Sequence, residues 1–191
     1  MDCVQFVHES KGKIVLKPED YIKLNKAAEA VSKHPRSAEL LKGEKEKEIF
    51  FSLHGMKCKC KIDSIDILPD ENLVRIVDLK STSKNPRRIQ NFVYRYRTYR
   101  QLAFYGYGAL SLPEVQAMKD PKFEYYVIQA GLAPPNHCVV GRIDDEWIQQ
   151  GRKEIYGLVE RVKYADKIGW DHSMEEYDNN YVIPLTKPEE L

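Results

Sequence analysis

Two alternating stretches joined by a short turn dominate the hydrophobic pattern of this chain. Lys57-Cys58-Lys59-Cys60-Lys61-Ile62-Asp63 alternates polar and apolar residues, the pattern of a strand with one face buried. Beyond Asp63 the phase inverts, because Ile65 and Ile67 continue the face that carried the lysines. A twist or bulge near Asp63 is therefore expected within a strand running from Met56 to Leu68. Pro69-Asp70-Glu71-Asn72 supplies the turn. In the following strand, Leu73 to Lys80, the residues Val74, Ile76, Asp78 and Lys80 share one face, and Val77 and Leu79 share the other. Both faces are largely apolar, as in a central strand. Glu44 to Leu53 reads as a strand before these two, with Glu46, Glu48 and Phe50 on one face.

Helical spacing appears on either side of this core. Pro18 opens a helix with acids in its first turn, and Tyr21, Leu24, Ala27, Ala28 and Val31 form its stripe. His34-Pro35 ends it, and Ser37 to Leu41 adds a turn stopped by Gly43. Asn85 to Ala109 reads as one long aromatic helix with the stripe Ile89, Phe92, Val93, Tyr96 and Ala103. On another face Gln101 and Tyr105 are neighbours at i, i+4. Strands follow at Phe123 to Ala130 and His137 to Ile143. Asp144-Asp145 starts a last helix with the stripe Ile148, Gly151, Ile155, Leu158, Val159 and Val162. Residues 1–16 read as an N-terminal arm, Trp170, Tyr177, Tyr181 and Pro184 as an irregular packed tail, and 187–191 as a loose end. At 191 residues, without repeat or linker, the expectation is a single domain spanning 1–191.

Composition changes this picture little, with 42% hydrophobic and 31% charged residues. A net charge of +1 does not announce a polyanion partner, but the distribution does. No acid occurs between Asp78 and Glu114, an interval that holds Lys80, Lys84, Arg87, Arg88, Arg95, Arg97 and Arg100 among many aromatics. Such a stripe suits nucleic acid when a metal site adjoins it; alone, it would read as a solvated helix face. The cysteines are Cys3, Cys58, Cys60 and Cys138, with no Cys-x-x-Cys pair, no secretory signal and no membrane-length apolar run. A reducing cytoplasm is expected. Cys58 and Cys60 share a strand face, where packing outweighs a zinc pair.

The candidate chemistry sits at the ends of the two central strands. Asp78 and Lys80 at i and i+2, with Asp63 on the preceding strand, are costly to bury unless they pair or hold a cation. Together they make a metal site with a lysine beside it. Ser81 and Thr82 follow, able to contact phosphate or to cap the next helix.

An acid, a gap, then acid-x-Lys resembles the signature of the PD-(D/E)XK nuclease superfamily, and most closely its RecE-like and lambda-exonuclease-like branch of phages and bacteria. Further matches are His34-Pro35 before a short helix, Gly55 eight residues ahead of Asp63, and Gln101-x-x-x-Tyr105. The resemblance covers roughly residues 18 to 186. It implies an α/β restriction-endonuclease-like core, a mixed central sheet flanked by helices. It implies a Mg²⁺-dependent DNA exonuclease, with Mn²⁺ as a substitute, acting in recombination or end processing. The alternative is a nuclease-fold protein that binds nucleic acid without cutting it.

By this resemblance Asp63, Asp78 and the carbonyl of Leu79 are metal ligands. Glu46 aligns with the family's upstream acid, with Glu48 as runner-up and a charged strand entrance as the bland reading. Lys80, Gln101 and Tyr105 complete the catalytic set. Ser81, Thr82, Arg87, Arg88, Arg97 and Arg100 are candidate DNA contacts. Implied partners are double-stranded DNA ends, further copies of the chain in a ring, and a single-strand annealing protein, in a bacterial or phage-infected cell and away from membranes. The chain departs from the family in lacking an upstream Gly-x-x-x-His helix. Either His34 or a glutamate substitutes, or the chain is a minimal version; for His34 itself a structural cap or a solvent-facing position is the stronger reading.

Overall fold

A computed structural model of the chain describes residues 11–12 and 15–170. The arm at 1–16 and the tail beyond Trp170 therefore lie largely outside the described residues. The chain order is α1 (Pro18–Lys33), α2 (Pro35–Leu40), β1 (Glu44–Leu53), β2 (Met56–Leu68), β3 (Leu73–Thr82), α3 (Ile89–Arg95), α4 (Thr98–Ala109), α5 (Pro113–Gln116), β4 (Lys122–Gly131), β5 (Cys138–Ile143) and α6 (Asp145–Ile168). The five strands form one sheet in the order β1-β2-β3-β4-β5. Only β3 and β4 run parallel; their crossover carries α3, α4 and α5. This is the mixed, helix-flanked sheet that the family resemblance implies.

Each sheet face has its own core. On one face α1 and α2 set Ala27, Val31 and Leu40 against Val77, Tyr126 and Ile128. On the other, α3 to α6 bring Val93, Leu102, Val115 and Ile155 onto Ile62, Val74, Ile76 and Val127. The central strands are thus apolar on both sides, as β3's pattern requires. Cys60 is buried in the second core with Cys58 packed beside it, so the cysteine pair serves packing. Burial pushes the Cys60 thiol up to about 11, which makes it a poor nucleophile. Gly108 of α4 lies so close that a Cβ there would stand 2.7 Å from Cys60 Sγ.

The inverted phase of β2 has a structural cause. Ile62 and Ile65 both enter the same core although they are three positions apart, an odd spacing that would put them on opposite faces of a regular strand. Glu46, opposite on β1, adopts a left-handed φ of 54°. The pairing passes from Lys45↔Ser64 to Lys47↔Ile62 and skips Glu46 and Asp63. Both strands kink at the same level, so the ladder changes face without an inserted residue.

The long helix expected over Asn85 to Ala109 is corrected to a 3₁₀ turn at Pro86–Arg88 followed by two helices. The break falls at Arg97, whose φ is 54°. Its guanidinium donates to Tyr99 Oη at 2.6 Å and to Glu154 of α6 at 3.2 Å, which offsets the cost of a left-handed non-glycine residue. The break removes Tyr96 from the apolar stripe and leaves it 58% exposed. The stripe of α1 is also thinner than expected: only Ala27 and Val31 are buried, while Tyr21 and Leu24 face outward.

Candidate active site

The β2–β3 ladder starts at the turn with Leu68↔Leu73 and ends at Ser64↔Val77. Past that pair the strands part: β2 continues beside β1 and β3 beside β4. Asp63 and Asp78 are the first residues beyond the split, so the two acids stand in the crotch of a fork. Asp63 spans it, its Oδ2 accepting the Leu79 backbone N–H at 2.7 Å. A side chain here replaces the missing rung.

Asp78 is fully buried. Its Oδ1 accepts from Lys80 Nζ at 2.5 Å, and its Oδ2 has no hydrogen-bond partner among the described residues. Burial pushes the Asp78 carboxyl above its usual range; Lys80 pulls it down and Asp63 pushes it further up. A buried carboxylate oxygen without a partner is expensive, and such groups concentrate at functional sites. Lys80 keeps 29% of its side chain exposed, so its ammonium bridges the buried acid and solvent.

Helix α4 closes the fork from above. Gln101 Nε2 donates to Tyr105 Oη at 2.6 Å. Burial raises the Tyr105 phenol to about 12; Gln101 pulls it down, while Asp78 and Asp63 push it up. The hydroxyl thus stays protonated, and because it accepts from Gln101 its own proton remains available to a further acceptor. The structure therefore assembles Asp63, Asp78, Leu79, Lys80, Gln101 and Tyr105 in one place.

The other sequence-derived candidates have partners or positions of their own, and Glu46 stands opposite Asp63 where the β1–β2 register skips both. Glu46 pairs with Lys61, and Glu48 with Lys59 at 3.0 Å. Among the described residues no group of three or more His, Cys, Asp or Glu side chains is arranged to hold a metal. His34 caps α2, its Nδ1 accepting from the Ser37 N–H at 3.2 Å. Arg97 and Arg100 share Glu154, whereas Arg87 and Arg88 stay exposed after the end of β3. Ser81 is exposed, and Thr82 Oγ1 accepts from the Lys84 N–H at 3.1 Å. Sequence reasoning missed Gln129, which is 2% exposed and pairs in register with Lys80. Its signal was a lone amide inside the apolar run Tyr125 to Ala130.

The family profile described as a PDDEXK-like domain of unknown function (DUF3799) matches residues 2–170. The chain belongs to this family. The PDDEXK-like assignment agrees with the superfamily that the acid, gap, acid-x-Lys order implied. A crystal structure from Eubacterium rectale, described as a "Putative exonuclease", shares the fold at a TM-score of 0.64 and 16% identity, covering 98% of this chain and 71% of that one. Among curated proteins, no sequence matches. Among the described residues of this PDDEXK-like chain, no helix is long and apolar enough to cross a membrane.

Proposed function

We propose that the protein is a divalent-metal-dependent nuclease that hydrolyses DNA phosphodiester bonds at the fork between β2 and β3. The observation that carries this reading is the buried Oδ2 of Asp78, which has no partner among the described residues and belongs to a carboxylate flanked by Lys80 and Asp63. A structural aspartate would have its second oxygen satisfied. The donor set fits Mg²⁺, which takes hard oxygen ligands and commonly only one or two carboxylates, with waters and substrate phosphate filling the remaining positions. Asp63 and Asp78 would hold it. The Leu79 carbonyl joins them on a physical argument: an extended residue turns its N–H and C=O toward the same neighbour, and the Leu79 N–H meets Asp63. A bound Mg²⁺ supplies Lewis acidity at the phosphoryl oxygen.

The remaining steps belong to the chain's own residues. Lys80 Nζ, anchored on Asp78, orients the attacking water and offsets phosphate charge. Tyr105, fixed by Gln101, offers its hydroxyl proton to a phosphate oxygen and so positions the scissile group. Ser81, Thr82, Arg87 and Arg88 follow β3 outward and would contact the DNA backbone. Glu46 is engaged with Lys61 and would act on the site through that lysine rather than as a ligand. Digestion from double-stranded ends, in recombination or end processing, is the finer form of the proposal, supported by the RecE-like order of motifs.

End-labelled linear and closed circular DNA, each with Mg²⁺ and with chelator, tests the reading. Loss of label from the linear form only, abolished by chelator, is the expected result. Absence of cleavage on every DNA substrate would leave a nuclease fold that binds without cutting.

A further inference from the structure

A second concavity continues the fork along β3. It has a volume of about 360 Å³, within the size range of small-ligand sites. Gln129 forms its floor and is 2% exposed. Gln129 is the register partner of Lys80, so the two project from the same sheet face. Thr82, two residues past Lys80 on that face, also lines the pocket. The concavity therefore begins one strand away from the proposed catalytic lysine.

Its walls differ from the rest of the basic stripe. Lys84, Arg88 and Arg95 line it, and none of them forms an ion pair with a described carboxylate, whereas Arg97 and Arg100 are committed to Glu154. Phe92 and Tyr96, one helical turn apart, have ring centroids 4.7 Å from each other. Tyr96 presents its exposed ring to the opening. The Gln129 amide makes no hydrogen bond among the described residues. The amide borders the open space of the concavity, where a ligand group can pair with it.

A carboxamide offers a donor and an acceptor side by side, the pairing that a nucleobase edge satisfies. Aromatic faces stack bases, and unpaired cations take phosphate. We infer that this pocket holds one unpaired nucleotide of the DNA strand, its base against Phe92 and Tyr96 with an edge on Gln129 and its phosphate on Lys84, Arg88 and Arg95. A base within a duplex already has neighbours stacked on both faces and cannot lie against these rings, so the occupant is a frayed or single-stranded nucleotide next to the cleavage point. This rests on the nuclease reading for DNA as the substrate, but occupancy of the pocket needs no metal.

The test is calorimetric titration of the full chain in chelator, with deoxynucleoside monophosphates and, separately, inorganic phosphate. The nucleotides should bind about tenfold or more tightly than phosphate, a modest share of what base stacking provides. Gln129→Leu should cost the nucleotides about fivefold and leave phosphate unchanged. Tyr96→Ala should do the same, and its exposed ring makes this variant decisive if Gln129→Leu folds poorly. Nucleotides that bind no better than phosphate, or a Tyr96→Ala protein that binds them like wild type, would overturn the inference. Cleavage measured in parallel separates the two proposals: nucleotide binding without DNA cleavage upholds the pocket and removes the nuclease reading. Cleavage without nucleotide binding does the reverse.

Discussion

Asp78→Asn should make the metal-free protein more stable while abolishing its Mg²⁺-dependent activity. The carboxylate is fully buried with one partner, Lys80, and one empty oxygen. The amide keeps its shape and still accepts from Lys80, so the loss is the charged part of that bond, within the about 1.5–3 kcal/mol of a charge-assisted hydrogen bond. Against this stands relief of burying an anion, several kcal/mol per ion in proteins. The freed Lys80 ammonium reaches water, since its side chain is 29% exposed. The balance favours the mutant by about 1–2 kcal/mol, or about 2–8 °C in Tm for a domain of this size. Magnesium should reverse the order, because a ligand at a hundred times its Kd adds about 2.7 kcal/mol to the wild type. The asparagine protein should gain almost nothing, because a neutral amide binds a hard dication poorly. Thermal unfolding of both proteins in chelator and in Mg²⁺ makes the comparison. A mutant less stable than wild type in chelator would mean that the Asp78 charge is structural. Equal stabilisation of both proteins by Mg²⁺ would place the metal elsewhere.

Lys80→Ala should slow single-turnover DNA cleavage by about 10²–10⁴-fold with little change in Ca²⁺-supported DNA binding, and Lys80→Arg should not restore the rate, because the broader guanidinium does not fit the same spot; equal losses of binding and cleavage would reduce Lys80 to an electrostatic contact. Glu154→Gln should destabilise the fold by about 1–2 kcal/mol near neutral pH. Burial raises the Glu154 carboxyl, but Tyr99, Gln150, Arg97 and Arg100 outweigh it, so its net shift is downward. A lowered native pKa gives stability that is present above the ordinary glutamate range and lost as pH falls through the native value. The wild-type advantage in urea unfolding should therefore shrink from pH 6 to pH 3, and a constant gap would refute the assignment. Gly108→Ala forces a Cβ to 2.7 Å from Cys60 Sγ, and chemical denaturation should show a loss of about 1–3 kcal/mol from overpacking.

The sheet was legible in the sequence because one-sided burial writes a period of two. The expected bounds of β1 and β2 coincide with Glu44–Leu53 and Met56–Leu68. The phase inversion at Asp63 was visible too, but not its mechanism, since nothing in the sequence marks Glu46 for a left-handed backbone. The acids and Lys80 stood out because charges interrupt an apolar strand there, whereas Gln101 and Tyr105 were found through their resemblance to a Gln-x-x-x-Tyr helix. The basic stripe misled where long-range pairing decided the outcome. Arg97 and Arg100 meet a glutamate more than fifty residues later, and that contact also stabilises the helix break that sets Tyr96 free. Gln129 showed only as a lone amide in an apolar run, and its meaning depends on standing beside Lys80 across a parallel pair.

The fork also bears on the order in which the molecule assembles. Asp63 and Leu79, joined across it, are 16 residues apart and are brought together by one antiparallel hairpin. The parallel pairing of β3 with β4, by contrast, must close a crossover containing three helices. Loop-closure entropy favours the hairpin as the earlier event. The acids would then meet before α4 delivers Gln101 and Tyr105. Substitutions in the Pro69–Glu71 turn should slow folding, while those in α4 should mainly hasten unfolding. Stopped-flow measurements on both sets would show whether the reaction centre is present in the nascent fold or arrives last.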